Sequence, residues 1–444
     1  MNDNELTQQF NSRSLIKYAI PTIIMMIFNS TAGIIDGIFV ANFVNENALA
    51  ATNLVMPIIL VMIALGMMLA TGSNAQIAKL LGEGKDKEAR ETFSVTYLVG
   101  IIFGVTVSIL LYIFANPLLN MIGANEVLYP YARDYLLTIT PFMTCAMLQM
   151  FTQCFFVTAG KPQIGFMMCA LGTVTNIVLD YVLIVYLDMG IVGAALATCT
   201  SFAISGLSGL IYFLFYRKGS LYLCKPKWNT KQFLHCLHNG MSEFITMMAA
   251  SITTILFNII LMQIAGESGV AAITVIMYVQ MIQSAVYTGY SIGVAPLISY
   301  KFGEKSYEQL KLINKTSFIA IGIASLLTIT LSIAFAKLAV GVFISPSSDT
   351  FILTVKGFRI YSLAYVSMGF NIFVCAMFTA LSNGKVSAII SALRTLVFII
   401  IALITLPFIF GLNGVWIAVP IAEALGLIVA FIYFKKNKDL YNYY

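Results

Sequence analysis

Apolar runs of about 20 residues recur from one end of this chain to the other, separated by short stretches rich in Gly, Asn, Pro and charge. A helix of that length crosses the hydrocarbon core of a bilayer. In lipid every backbone N–H and C=O must be paired within the protein, so only helices and closed barrels can span it. A barrel would instead show segments of about ten residues with alternating polarity. The composition agrees: 59% of the residues are hydrophobic and only 10% are charged, against about 25% in a soluble domain. A chain of 444 residues with so little charge cannot cover a water-soluble globule. The expected fold is an all-α integral membrane protein.

The opening "MNDNELTQQFNSRSLIKY" is polar and leads directly into an apolar segment, which reads as a retained first span rather than a cleaved signal. Segmentation gives twelve spans, at 15–41, 48–78, 92–115, 128–159, 162–187, 191–216, 234–265, 269–300, 310–344, 351–382, 386–410 and 413–434. Of the 25 Lys and Arg, 20 fall in the two tails and one set of loops. The opposite loops "NFVNENA", "ANPLLNMIGANE", "LDMG" and "AGESG" hold none. The positive-inside rule then places both termini in the cytoplasm, which requires an even number of spans. The net charge of +6 is accounted for by this topology, without nucleic-acid binding. A multi-pass protein of the plasma membrane is expected.

The chain also repeats itself at an offset of 221 residues. "GSNAQIAKLLGEGKDKEAR" (72–90) lies on "GVAPLISYKFGEKSYEQLK" (293–311), "ALAATNLV" (48–55) on "GVAAITVI" (269–276), and "GIVGAALA" (190–197) on "GLNGVWIA" (411–418). Each half therefore has six spans, and because six is even the halves share one orientation. They are related by a pseudo-two-fold axis along the membrane normal, a transporter architecture with the substrate path between the halves. The expected units are an N-terminal lobe at 1–216, a basic linker at 217–233 and a C-terminal lobe at 234–444.

Within the spans, charge is scarce and therefore informative. Asp36, Asp180 and Glu423 lie inside spans, while Glu243 and Asp134 lie near span ends. At ~1.5 Å per residue, Asp36 sits ~8 Å and Asp180 ~10 Å below the outer end of spans 1 and 5. Thr198 in span 6 has a similar depth. Asn176 shares a helix face with Asp180, four residues on. At the repeat offset Asp36 corresponds to Phe257 and Thr198 to Val419, and the segment of span 11 opposite Asn176 and Asp180 is "LVFIIIALITL". A polar group required by the fold would recur in both lobes, so this asymmetry points to a function of the N-terminal lobe. Two neighbouring carboxylates in low dielectric need a proton or a cation. Asp, Asn and Thr oxygens also suit a hard cation such as Na⁺, which charge alone does not distinguish from H⁺. Arg394 and Glu423 have matching depths in spans 11 and 12 and are expected to form a buried structural ion pair. The seven Cys form no CxxC pair and read as small apolar packing residues. His235 and His238 read as interfacial.

These features resemble the multidrug and toxic compound extrusion (MATE) family, most specifically in "YAIPTIIMMIFNSTAGIIDGIFVANFVNENALAATNLVMPI" (18–58), "QIAKLLGEGKDKEAR" and "FVTAGKPQIGFMMCALGTVTNIVLDYVLI". The resemblance implies a cation site at Asp36, Asn176, Asp180 and Thr198, and bending of the first helix at Pro21. It implies antiport, Na⁺ or H⁺ entering as an organic cation leaves, with no other cofactor. The expected partners are small organic cations and the lipid bilayer, with no nucleic acid, and the chain is expected to act as a monomer. The chain lacks the span-10 carboxylate of one branch of the family, offering only Asn371 in "MGFNIFVCAMFTALSNG". Two other readings are a lipid or lipid-linked oligosaccharide flippase of the same superfamily and an intramembrane aspartyl enzyme. The absence of "GxGD" around Asp36 and Asp180 weighs against the enzyme.

Overall fold

The structure, a computed structural model, describes residues 5–444. Among the described residues there is no β-strand, and eleven helices are long and apolar enough to cross a membrane. Ten of these are Ser12–Phe43, Asn47–Gly82, Asp86–Ile113, Tyr129–Thr158, Pro162–Tyr186, Gly190–Phe215, Tyr307–Ala334, Asp349–Ala380, Gly384–Phe410 and Leu412–Tyr441. The remaining one, Met241–Gly303, is 63 residues long and breaks at Gly266, whose φ of 61° and ψ of −150° leave the helical region. Glycine, lacking a Cβ, takes this conformation without strain. The break yields spans 7 and 8, so the chain crosses twelve times in two six-helix lobes. Span 7 starts at Met241 and not at 234: residues Thr230–Asn239 form a separate short helix, capped by Asn229 accepting from the Gln232 N–H, and carry both histidines.

The internal repeat reappears in the helix boundaries. Asp86–Ile113 and Tyr307–Ala334 are both 28 residues and lie 221 apart. Each is followed by a short helix at the same offset, Ala115–Met121 and Ala336–Gly341. Through spans 4 and 10 the offset becomes 222, as in Met143–Thr158 and Tyr365–Ala380. It returns to 221 at Gly190 and Gly411, both with positive φ. With either offset, the counterparts of Asn176 and Asp180 remain apolar.

The lobes meet on the side that carries both chain ends. Span 2 crosses span 8 so closely that a Cβ on Gly82 would lie 2.1 Å from the Tyr300 carbonyl oxygen, and one on Gly303 would lie 2.2 Å from that of Lys79. Gly82 and Gly303 are repeat counterparts, as are Lys79 and Tyr300. The crossing is thus reciprocal about the pseudo-two-fold axis. Span 2 also approaches the end of the short helix that precedes span 7, where a Cβ on Gly72 would meet the Cys236 carbonyl oxygen at 2.0 Å. Span 8 approaches span 1 in the same way, through Gly289 against Ile23 and Gly293 against Thr22. Without a hydrophobic drive between helices in lipid, such small residues let backbones pack directly. Edge-on aromatic contacts knit the same side of the N-terminal lobe, Phe93 standing 5.0 Å from both Phe155 and Phe213.

Candidate functional site

Asp36 comes from span 1 and Asp180 from span 5, where the α-helix Pro162–Leu179 gives way to a π-helical segment, Asp180–Tyr186. Such segments insert a wider turn and are frequent at functional sites. Span 1 packs against this segment, and the two carboxyl groups lie within hydrogen-bonding reach of one another. Asp180 is fully buried, yet neither of its oxygens accepts a hydrogen bond from a protein donor, and neither does Oδ1 of Asp36. Unpartnered buried carboxylate oxygens are costly unless a proton or a cation satisfies them. Asn176 is buried one turn before Asp180, and Thr198 is half-buried on span 6. The structure therefore brings Asp36 and Asp180 together, with Asn176 one turn before Asp180 on the same helix. Tyr135 of span 4, which sequence reasoning missed, is buried within electrostatic range of both carboxylates. Its position in "YARDYLLTI" carries no distinguishing signal among 22 tyrosines.

Pro21 lies within the single helix Ser12–Phe43. Its ring removes one backbone donor, which makes this turn the place where the helix bends most easily.

In the other lobe, Arg394 Nη1 lies 2.9 Å and 3.1 Å from the two carboxylate oxygens of Glu423. Asn371 Nδ2 donates to Glu423 Oε2 at 2.6 Å and to its backbone carbonyl at 2.8 Å. Asn371, singled out for the carboxylate missing from span 10, is thus a clamp on the ion pair. Gly426, one turn beyond Glu423, admits the arginine: a Cβ there would lie 2.6 Å from that of Arg394. Arg394 also sits in a π-helical segment, Leu393–Val397. Removing one partner of a buried pair costs about 3–5 kcal/mol, because it strands the other charge. Both Glu423→Leu and Arg394→Met should therefore lower the melting temperature in detergent markedly. The double variant Glu423→Leu/Arg394→Met should recover much of that loss. Additive losses would count against a structural pair.

A cavity of about 440 Å³ opens beside this pair, formed largely by spans 7, 8, 10, 11 and 12. Its end nearest the chain termini includes Asn74, Glu243 and Ser299, and its apolar wall includes Phe257, Met277 and Met368. Asp36, Asn176, Asp180 and Thr198 do not line it.

Two parallel six-helix lobes, with a charge-bearing site in one and a cavity in the other, define a membrane transporter and not an enzyme. The comparisons give the family. The MatE profile matches residues 21–182 and 244–404, one stretch in each lobe, and the chain belongs to this family of multidrug efflux transporters. The multidrug export protein MepA of Staphylococcus haemolyticus is 25% identical over 96% of this chain and 94% of its own length. MepA of Staphylococcus saprophyticus is 25% identical over 95% and 92%. Among solved structures, the outward-facing conformation of a multidrug resistance MATE transporter of the MOP superfamily superposes with a TM-score of 0.91. It has 22% identity and covers 97% of each chain, a likeness of fold.

Proposed function

We propose that this transporter exports organic cations across the plasma membrane in exchange for Na⁺ or H⁺, with Asp36 and Asp180 as the coupling site and both termini cytoplasmic. The observation that carries the reading is the meeting of the fully buried Asp180 with the half-buried Asp36, where both oxygens of Asp180 and Oδ1 of Asp36 lack protein donors. Such a pair holds one positive charge more readily than none, so it responds to an ion gradient. Asn176, one turn before Asp180 on the same helix, offers an uncharged oxygen, and we assign Thr198 of span 6 the same part. Loading neutralises the pair and relieves repulsion between spans 1 and 5, which changes the preferred shape of span 1 at Pro21. A ligand shifts a conformational equilibrium only by its differential affinity for the two states. The pair supplies that difference if its two helices separate in one of them. The test is dye efflux from proteoliposomes under separately imposed Na⁺ and pH gradients. Efflux driven by at least one gradient is expected, and indifference to both would refute coupling.

A further inference from the structure

The cavity in the C-terminal lobe holds a carboxylate that the coupling site does not use. Glu243 sits one turn into span 7, at the cavity end nearest the chain termini. Among the described residues its side chain makes no hydrogen bond, and the opposite charge acting on it is that of Arg394. Arg394 is already neutralised by both oxygens of Glu423, which is held in turn by Asn371. The charges lining the cavity are Glu243, Arg394 and Glu423, which leave a net charge of −1 at Glu243. A single uncompensated carboxylate in a mostly apolar chamber inside the membrane is expensive in isolation. It favours a ligand that brings one positive charge and an apolar body.

The repeat sharpens this assignment. Phe257 and Val419, the counterparts of Asp36 and Thr198, both line the cavity wall. Where one lobe places carboxylate and hydroxyl oxygens, the other places an aromatic ring and a branched alkyl group. Met277, Met281 and Met368 join that wall with flexible, polarizable side chains that accommodate varied shapes. The volume of about 440 Å³ falls within the ~300–1,000 Å³ of small-molecule pockets. We infer that this chamber is the cargo site, binding a bulky lipophilic monovalent cation with Glu243 as its counter-ion, separate from the carboxylates of the N-terminal lobe. Cargo and coupling ion then occupy different lobes and communicate through the movement of the lobes, without competing for one carboxylate. The inference rests on the organic-cation reading above.

Ethidium is the probe, its binding to the purified full-length chain followed by fluorescence anisotropy at fixed pH. Glu243→Gln should weaken binding about tenfold or more, whereas Glu243→Asp should largely restore it and Glu308→Gln, at an exposed carboxylate outside both sites, should leave it close to wild type. In the wild-type chain, bound ethidium should slow carbodiimide coupling at Glu243 but not at the exposed Glu308, read by peptide mass spectrometry. This measurement does not depend on a variant folding. Equal affinities for wild type and Glu243→Gln, or undiminished coupling at Glu243, overturn the inference alone. No ethidium binding by the wild-type chain overturns it together with the substrate class proposed above.

Discussion

Replacing Asp180 with asparagine is expected to abolish gradient-driven efflux while the protein still inserts and folds. The substitution keeps the side chain's size at a fully buried position. It removes one of the two charges that face each other between spans 1 and 5, and its new amide N–H₂ donates to Asp36. Stability in detergent should therefore match or exceed that of wild type, since a repulsion is replaced by a hydrogen bond. Transport should behave oppositely. Site-to-site coupling is typically worth about 1–3 kcal/mol, a roughly 5–150-fold difference in affinity that the ion can no longer impose, so the gradient-dependent part of the rate should disappear. Asp36→Asn should do the same, and the double variant should be no worse than either single one, because the carboxylates act as a unit. The measurement is initial efflux rate in proteoliposomes with and without the gradient, beside a thermal melt of the same preparation. A gradient response that survives in Asp180→Asn removes this residue from the coupling site.

That pair is legible in the sequence because its cost is visible in one dimension. A carboxylate inside an apolar run is exceptional, and counting residues from the span ends places Asp36 and Asp180 at one depth. The same reasoning finds Arg394 and Glu423, which the structure sets 2.9 Å apart. Depth alone gives no azimuth. Asn371 shares the level of Glu423, but only the packing of spans 10 and 12 shows that its amide closes on that carboxylate. Glu243 stands near a span end and carries no signal, because its role depends on a chamber formed by five spans distant in sequence. The beginning of span 7 is misplaced in the sequence for a local reason. "KQFLHCLHNG" contains enough Phe, Leu and Cys to extend an apolar run, yet its polar residues fit a surface helix ending at Gly240. The π-helical turns at Asp180 and Arg394 have no sequence signature, since they reflect how neighbouring helices seat these side chains.

The repeat is equally legible, but its mechanical consequence is not. Aligning 72–90 on 293–311 shows that Gly82 and Gly303 are equivalent, not that each abuts the other's helix. That requires the pseudo-two-fold axis to pass between spans 2 and 8, which no residue pattern encodes. The structure shows Gly82 against the Tyr300 carbonyl and Gly303 against the Lys79 carbonyl, each too close for any Cβ. The obstacles are backbone atoms, so no change of rotamer relieves them. Gly82→Ala must instead separate the crossing by about 1.3 Å or more for its Cβ, 2.1 Å from the carbonyl oxygen, to reach ordinary contact distance. Tightly packed interfaces switch between discrete arrangements more readily than they stretch. The substitution should therefore shift the population away from the state closed at the terminus-bearing face, by about tenfold for each 1.4 kcal/mol of strain. Spin labels at Lys87 and Glu308, both exposed and 221 residues apart, report the separation of these helix ends. Their distance distribution should move to longer values in Gly82→Ala. Because the crossing is reciprocal, Gly303→Ala should produce the same shift, and the double variant should add less than the sum, since one separation relieves both clashes. An unchanged distribution in both single variants would show that the two helices do not need this approach to close the transporter.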